Sequence, residues 1–446
     1  MSTPPEQLIV IGGGLAGCEA AWQAAKLGRR VLLYEMKPRV YSPAHHSPLL
    51  AELVCSNSLR SDAVSSAVGL LKQEMRLMES LILTAAEQTR VPAGKALAVD
   101  REKFARFITD KIEADIFITI VREEVRKLPS PGLEPSTIIL ATGPLTAEPL
   151  AESLGRLTGK EHLAFYDAIA PIVEAESLNR DIIFQASRYD DGPGDYLNCP
   201  MDKAQYGNFI TELAGAQKVE PRSFEEQKYF EGCLPIEVML ERGPETLRYG
   251  PMKPVGLIDP RTGRESYAVV QLRQENKEGT HYNMVGFQTK LTYSEQKRIF
   301  RMIPGMKQAE FTRLGSIHRN TFVCGPEILL PSLQLKSRPD LLLAGQISGV
   351  EGYVESTAIG LLAGINGARL ISGEKPLIPP PETALGALIT HLTATDPKRF
   401  QPSNINFGLF PKLGQKTPKK LRGAKYAERA LYAMQKWQAE IKSRQV

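Results

Sequence analysis

The chain has 446 residues, 42% apolar and 24% charged, which excludes global disorder and points to two or three domains, because one core rarely grows past about 250–300 residues. The net charge of +5 is uneven: Lys412 to Val446 carries 10 Lys and Arg against 2 Asp and Glu, a net of +8, and the rest of the chain carries −3. No stretch reaches the ~20 uninterrupted apolar residues of a membrane span, since Leu341 to Ile371 is broken by glycines and by Glu351, Glu355, Asn366 and Arg369.

The N-terminus has neither the basic flank nor the cleavage site of a signal peptide, so a cytoplasmic protein is expected. Gln7 to Ile11 is an apolar run followed at once by Gly12-Gly13-Gly14-Leu15-Ala16-Gly17. An Ala-rich segment to Leu27 reads as a helix, and Arg30 to Tyr34 reads as a second strand ending at Glu35. Strand, Gly-rich turn, helix, strand and acid in this order form a dinucleotide-binding unit. Gly12 makes the turn, Gly14 admits a pyrophosphate, and Gly17 lets the helix approach the sheet. The helix N-terminus attracts the phosphates, and Glu35 is placed to bind ribose hydroxyls.

Thr137 to Ala141 predicts a strand closed by Thr142-Gly143, a return beside the cofactor found in flavoproteins with two dinucleotide folds. From Ala151 to about Leu314, Gly- and Pro-rich turns separate β-like runs at Ile169 to Val173, Tyr267 to Leu272 and Asn283 to Gln288. A helix follows from Ser294 to Met302, with Thr292 and Glu295 spaced as a capping box. Leu341 to Ala344 predicts a late strand, and Gly345-Gln346-Ile347-Ser348-Gly349-Val350-Glu351-Gly352-Tyr353 opens a small-residue helix to about Leu370. FAD proteins commonly carry such a segment and nicotinamide dehydrogenases do not need it. Gly345, Gln346, Gly349, Gly352 and Tyr353 therefore join Gly12 to Gly17 and Glu35 as candidate cofactor-binding residues.

The expected fold is α/β: a discontinuous, Rossmann-like FAD-binding domain over 1–150 and 315–378, an inserted α+β domain over 151–314, and a C-terminal extension over 379–446. In that extension Ala424, Ala427, Leu431, Met434, Trp437 and Ile441 recur on one helical face, with most basic residues off it. This basic helix suits a polyanion, or is a solvated surface.

Cys18, Cys55, Cys199, Cys233 and Cys324 are too few and too scattered for a disulfide scaffold, and none forms a C-x-x-C pair. No metal site is expected. His45 and His46 lie shortly before the Cys55 segment and are either ligand contacts or solvated loop residues; Arg60, near Cys55, either lowers a thiolate pKa or holds a phosphate, or is a surface residue; His318 and Arg319 follow a β-like stretch and are candidates to line a site.

Five segments together resemble the TrmFO family of folate- and FAD-dependent tRNA (uracil-5-)-methyltransferases, within the wider MnmG/TrmFO flavoproteins. They are VIGGGLAG (Val10 to Gly17), AELVCSNSLRSD (Ala51 to Asp62), YFEGCLPIEVMLERG (Tyr229 to Gly243), LLLAGQISGVEGYVESTAIG (Leu341 to Gly360) and NINFGLFP (Asn404 to Pro411). The second and third are the most specific. The resemblance implies methylation of uridine 54 in the tRNA T-loop, with 5,10-methylenetetrahydrofolate as carbon donor and FAD, reduced by NADH or NADPH, as reductant. It implies Cys55 and Cys233 as catalytic residues, with Cys233 preferred as nucleophile and Cys55 as base. The chemistry is consistent with two thiols: one adds to uracil C6 to make C5 nucleophilic, and a base then removes the C5 proton. Rival readings are the longer flavoprotein of wobble-uridine modification, a flavin disulfide reductase, for which no dithiol motif is present, and a flavin-binding tRNA chaperone without turnover. No membrane partner is expected, and the oligomeric state is open.

Overall fold

The computed structural model describes residues 7–130, 136–159, 163–188, 192, 194–219, 229, 234–414 and 416–443. A six-stranded sheet forms the frame, in the order Gln334–Leu335, Arg338–Leu343, Ser136–Leu140, Gln7–Ile11, Val31–Tyr34, Ile118–Val121. Every pairing is parallel except that of the Gln334–Leu335 edge. Leu8, Val10, Leu33 and Ile139 are fully buried, as expected of strands covered on both faces.

The helices Leu15–Lys26 and Tyr353–Ile371 lie against each other on this sheet. Their backbones approach so closely that a Cβ on Gly360 or Gly364 would sit 2.3 Å from the carbonyl oxygen of Ala16 or Ala20. The small residues of both segments are thus a packing requirement. The strands match the predicted ones with shifted ends. Ser136–Leu140 begins one residue before the expected start, where Ser136 pairs with Gln7, and Arg338–Leu343 begins three before, where Arg338 pairs antiparallel with Leu335, because pairing rather than apolarity sets the limits.

The second sheet is antiparallel, ordered Phe184–Gln185, Tyr196–Met201, Ala268–Gln274, His281–Met284, Ile172–Glu174, Phe311–Arg313. A core containing Phe209, Phe287 and Phe300 packs it against the helices Lys203–Gly215 and Tyr293–Phe300. The β-like runs expected here are real, but end differently: Asn283 to Gln288 turns after Met284, and Tyr267 to Leu272 becomes Ala268–Gln274. The capping box at Thr292 does not form. The Thr292 hydroxyl lies 3.3 Å from Ser294 Oγ and caps no backbone N–H. Asp202 and Gln205 make a true capping box at the Lys203–Gly215 helix.

The antiparallel pair Leu163–Ala168 and Ile317–Phe322 runs between the two sheets. The C-terminal extension adds the helices Ala384–Ala394 and Lys419–Ser443. The last helix docks through Ala427, Ala430, Met434, Trp437 and Ile441. This is the expected face, with Leu431 packed against the same core; Ala424 is the exception, being exposed, and Ala430 is buried in addition. Among the described residues, no helix is long and apolar enough to cross a membrane.

Candidate active site

A cleft open to solvent lies at the carboxyl ends of the parallel strands, where open α/β sheets bind ligands. Each strand is followed by residues that line it: Gly12 to Ala16, Tyr34 to Lys37, Ala141 to Leu145, and Gly345 with Gln346.

The Leu15–Lys26 helix begins at Gly14 with no side-chain cap, leaving its first N–H groups facing the cleft. Around Gly14 a Cβ would meet nothing within 4 Å, so the space beside it is open. Gly17 is the opposite case: a Cβ there would fall 1.7 Å from the carbonyl oxygen of Gly12. Glu35 is buried and receives the N–H groups of Gly13 and Lys37, each at 2.9 Å. An uncapped helix end, an open glycine and a buried carboxylate at the end of the second strand together fit the pyrophosphate and ribose of FAD.

The structure sorts the candidate cofactor residues. Gly12, Gly13, Gly14, Leu15, Ala16, Glu35, Gly345, Gln346 and Tyr353 line the cleft. Gly17 packs beneath the turn, Gly349 packs against Phe400, and Gly352 lies against Glu355, Asn404 and Arg60. His45 also lines the cleft. Burial, reinforced by Lys37, lowers its pKa to about 4, so the ring is neutral there. His46 is exposed.

Cys55 sits where this cleft meets the second sheet. Tyr353 lines the cleft, and its hydroxyl oxygen accepts the N–H groups of Cys55 at 2.8 Å and Ser56 at 3.3 Å. Cys55 Sγ is 3.0 Å from the same oxygen. With both lone pairs engaged, the phenol proton is left for the sulfur, and this contact favours the thiolate. Burial, and then the charge of Asp167, outweigh it and push the thiol up to about 11. Nearby, Glu351 accepts a hydrogen bond from Gln346 at 2.5 Å, and burial followed by Asp167 raises its pKa well above the carboxylate range.

Distant arginines hold the Cys55 segment in place. Arg101 donates to the carbonyl of Leu53 and bridges Glu275 at 3.0 Å. Arg273, from the second sheet, donates to Asn57 Oδ1 at 2.9 Å and Ser56 Oγ at 2.8 Å. Asn57 in turn donates to the carbonyls of Val99 and Gln274, each at 2.9 Å. Sequence reasoning singled out Arg60 as the basic neighbour of Cys55. Arg60 instead pairs with the buried Glu355, and Arg101 is the cation acting on the thiol. Arg101, Arg273, Arg313 and Asp167 were not foreseen, because they stand in no local motif. Cys233 and the Arg319 side chain lie outside the described residues. Cys18 and Cys199 are buried. Cys324 and His318 are partly exposed.

The chain is 64% identical over 431 residues to the methylenetetrahydrofolate--tRNA-(uracil-5-)-methyltransferase TrmFO of Desulfotalea psychrophila, covering 97% of each. The chain belongs to the TrmFO family. The TrmFO of Citrifermentans bemidjiense is 59% identical over 437 residues, covering 98% of this chain and 99% of that one. Residues 7–375 also match the glucose inhibited division protein A family. A crystal structure of Aquifex aeolicus GidA superposes with a TM-score of 0.71 at 17% identity, covering 97% of this chain and 76% of that one. That likeness establishes the fold that this TrmFO-family chain shares, an FAD-type dinucleotide fold with a second sheet.

Proposed function

We propose that this protein methylates C5 of a uridine in tRNA, taking the carbon from 5,10-methylenetetrahydrofolate. The observation that carries the reading is Tyr353, one side chain that both lines the dinucleotide cleft and touches the Cys55 thiol. Redox cofactor and thiol chemistry therefore share a wall. FAD, when bound, supplies the hydride that turns a C5 methylene into a methyl group, and NADH or NADPH restores it. The Gly12 to Ala16 turn and Glu35 hold that cofactor, with Gly345 and Gln346 on the opposite wall.

One thiol adds to uracil C6 and a base takes the C5 proton. Burial holds the Cys55 thiol near 11, and both addition to C6 and removal of the C5 proton need a thiolate. We keep the roles that the family resemblance implies, attack for Cys233 and the C5 proton for Cys55. On this reading the parts of the chain divide the work: 1–150 with 315–378 holds the cofactor, 151–314 covers the base, and 379–446 holds the RNA backbone. The reaction belongs in the cytoplasm, where reduced folate and NAD(P)H are available. The test is transfer of labelled carbon from methylenetetrahydrofolate to unmodified tRNA. Label in 5-methyluridine is expected, and a purified, flavin-loaded protein that transfers none would overturn the reading.

A further inference from the structure

Three arginines bear on the Cys55 site: two hydrogen-bond its segment, and the third acts on it through its charge. Arg101 is committed to Leu53 and Glu275, and Arg273 to Ser56 and Asn57. The third, Arg313, ends the edge strand Phe311–Arg313 opposite Ile172. Its guanidinium lies in the electrostatic field of Cys55, Tyr353, Arg101 and Glu275. Nε and Nη2 are enclosed, yet among the described residues neither has a hydrogen-bond partner. Glu275, the carboxylate in its field, is already bridged to Arg101 at 3.0 Å.

Enclosed donors without partners are rare in folded proteins, and leaving them so is costly. Burial, then Arg101, lowers the pKa of Arg313 to about 10, so the group remains a cation at neutral pH. Nε–H and Nη2–H lie on one edge of the guanidinium and form a two-donor fork suited to an oxygen that carries negative charge.

The reaction creates such an oxygen at this place. Whichever step Cys55 performs, C5 or C6 of the uracil must come to its sulfur, and C4, which bears O4, is bonded to C5. When a thiolate forms the S–C6 bond, the C5=C6 π pair shifts through C5–C4 onto O4. The charge returns when C5 bonds to the incoming carbon, and the addition involves no net oxidation.

We propose that the Nε–H and Nη2–H groups of Arg313 bind O4 of the target uracil and stabilise the enolate formed on thiolate addition. The inference rests on the methyltransferase reading above. Arg313 then makes an oxyanion site, and Arg101 and Arg273 position the loop beside it.

The experiment uses tRNA containing 5-fluorouridine, on which the C6 adduct persists because C5 has no proton to lose, and follows the covalent protein–RNA band on denaturing gels. In Arg313→Gln, adduct formation is expected to slow by about 100-fold or more, with tRNA affinity and bound flavin unchanged. Arg313→Lys keeps the charge but not the fork, and is expected to recover only part of the rate. Wild-type adduct rates in either variant would overturn the assignment. So would losses of adduct that track losses of flavin or tRNA binding in both variants, since that marks a structural role. If the unsubstituted protein gives neither adduct nor labelled tRNA, the methyltransferase reading itself fails.

Discussion

The cofactor cleft and the thiol site adjoin at Tyr353 but are built in different ways. The cleft is framed by local backbone features, the Gly12 to Ala16 turn, a helix end without a cap, and strand termini, with the buried carboxylate of Glu35 beside them. The Cys55 site is held by side chains from afar, with Arg101, Arg273 and Tyr353 reaching it from elements 46, 218 and 298 positions along the chain. The cleft therefore tolerates sequence change that preserves backbone shape, and the thiol site depends on the particular groups present.

The largest effects are expected at the thiols. Cys55→Ala and Cys233→Ala should each lower methyl transfer by at least about 10³-fold, because no neighbouring group replaces a lost nucleophile or base. Bulk tRNA affinity and the unfolding temperature should stay near those of the unsubstituted protein. Wild-type transfer rates in both variants would remove the thiol mechanism and reduce the contrast between the regions to geometry.

Within the cleft, two glycines separate ligand contact from packing. Gly14→Val adds a side chain to open space, so the protein should fold with its normal stability but purify without flavin colour. Gly17→Ala drives a Cβ into the Gly12 carbonyl, and is expected to cost about 1–3 kcal/mol in denaturant unfolding. If Gly14→Val retains a full flavin spectrum, the pyrophosphate does not lie on this turn.

The same contrast explains what the sequence disclosed. Gly12 to Gly17 and Glu35 lie within one strand–helix–strand unit, so spacing alone carried their geometry. The basic helix and the strands of the second sheet were visible through periodicity, though their ends were not. Strand ends follow pairing partners that apolar patterning cannot name, and nothing in the periodicity told that the last helix would bury Ala430 and leave Ala424 exposed. Arg273 reads as one more residue of a β-strand until the fold brings it to Ser56 and Asn57. Arg60, the sequence neighbour, was the natural choice for a charge beside Cys55, but it adopts a left-handed backbone (φ 61°) and pairs with Glu355 instead.

Acidity of the thiol offers a smaller test with two opposite signs. Asp167 raises the Cys55 pKa and Tyr353 lowers it. Asp167→Asn should therefore bring the thiol below about 11 and speed its modification by methyl methanethiosulfonate at mildly alkaline pH. Tyr353→Phe should slow it. Each unit of pKa displacement changes the rate about tenfold, and Cys55→Ala supplies the background from the other cysteines. Equal rates in both variants would show that neither group acts on the sulfur.

The smallest expected effect concerns the last helix, where the outward face is basic. Lys419, Lys420, Arg422 and Lys425 are exposed, while Met434 and Trp437 are buried against the body of the protein. The basic end is fixed close to the Cys55 segment: a Cβ on Gly423 would lie 2.2 Å from the carbonyl oxygen of Ser65, and the Tyr426 ring stacks on Phe407 at 4.9 Å. Asn404, three residues before Phe407, donates to the carbonyl of Glu351 at 2.6 Å, tying this loop to the thiol site. A tRNA whose uridine enters beside Cys55 thus passes its backbone near these side chains, and such contacts hold RNA without reading its bases. Replacing all four residues with Ala should weaken tRNA binding. It should also lower the magnitude of the slope of log affinity against log salt by about 0.7–0.9 for each phosphate that is no longer neutralised. Flavin content and reduction by NAD(P)H should not change, because neither involves RNA. Lys425 already pairs with Glu428 at 2.7 Å, but an exposed i,i+3 pair is worth only about 0.3–0.5 kcal/mol and gives way to a phosphate. An unchanged salt slope in the fourfold variant would assign the helix to bracing alone, through Met434 and Trp437, and leave RNA binding to the residues around the thiol.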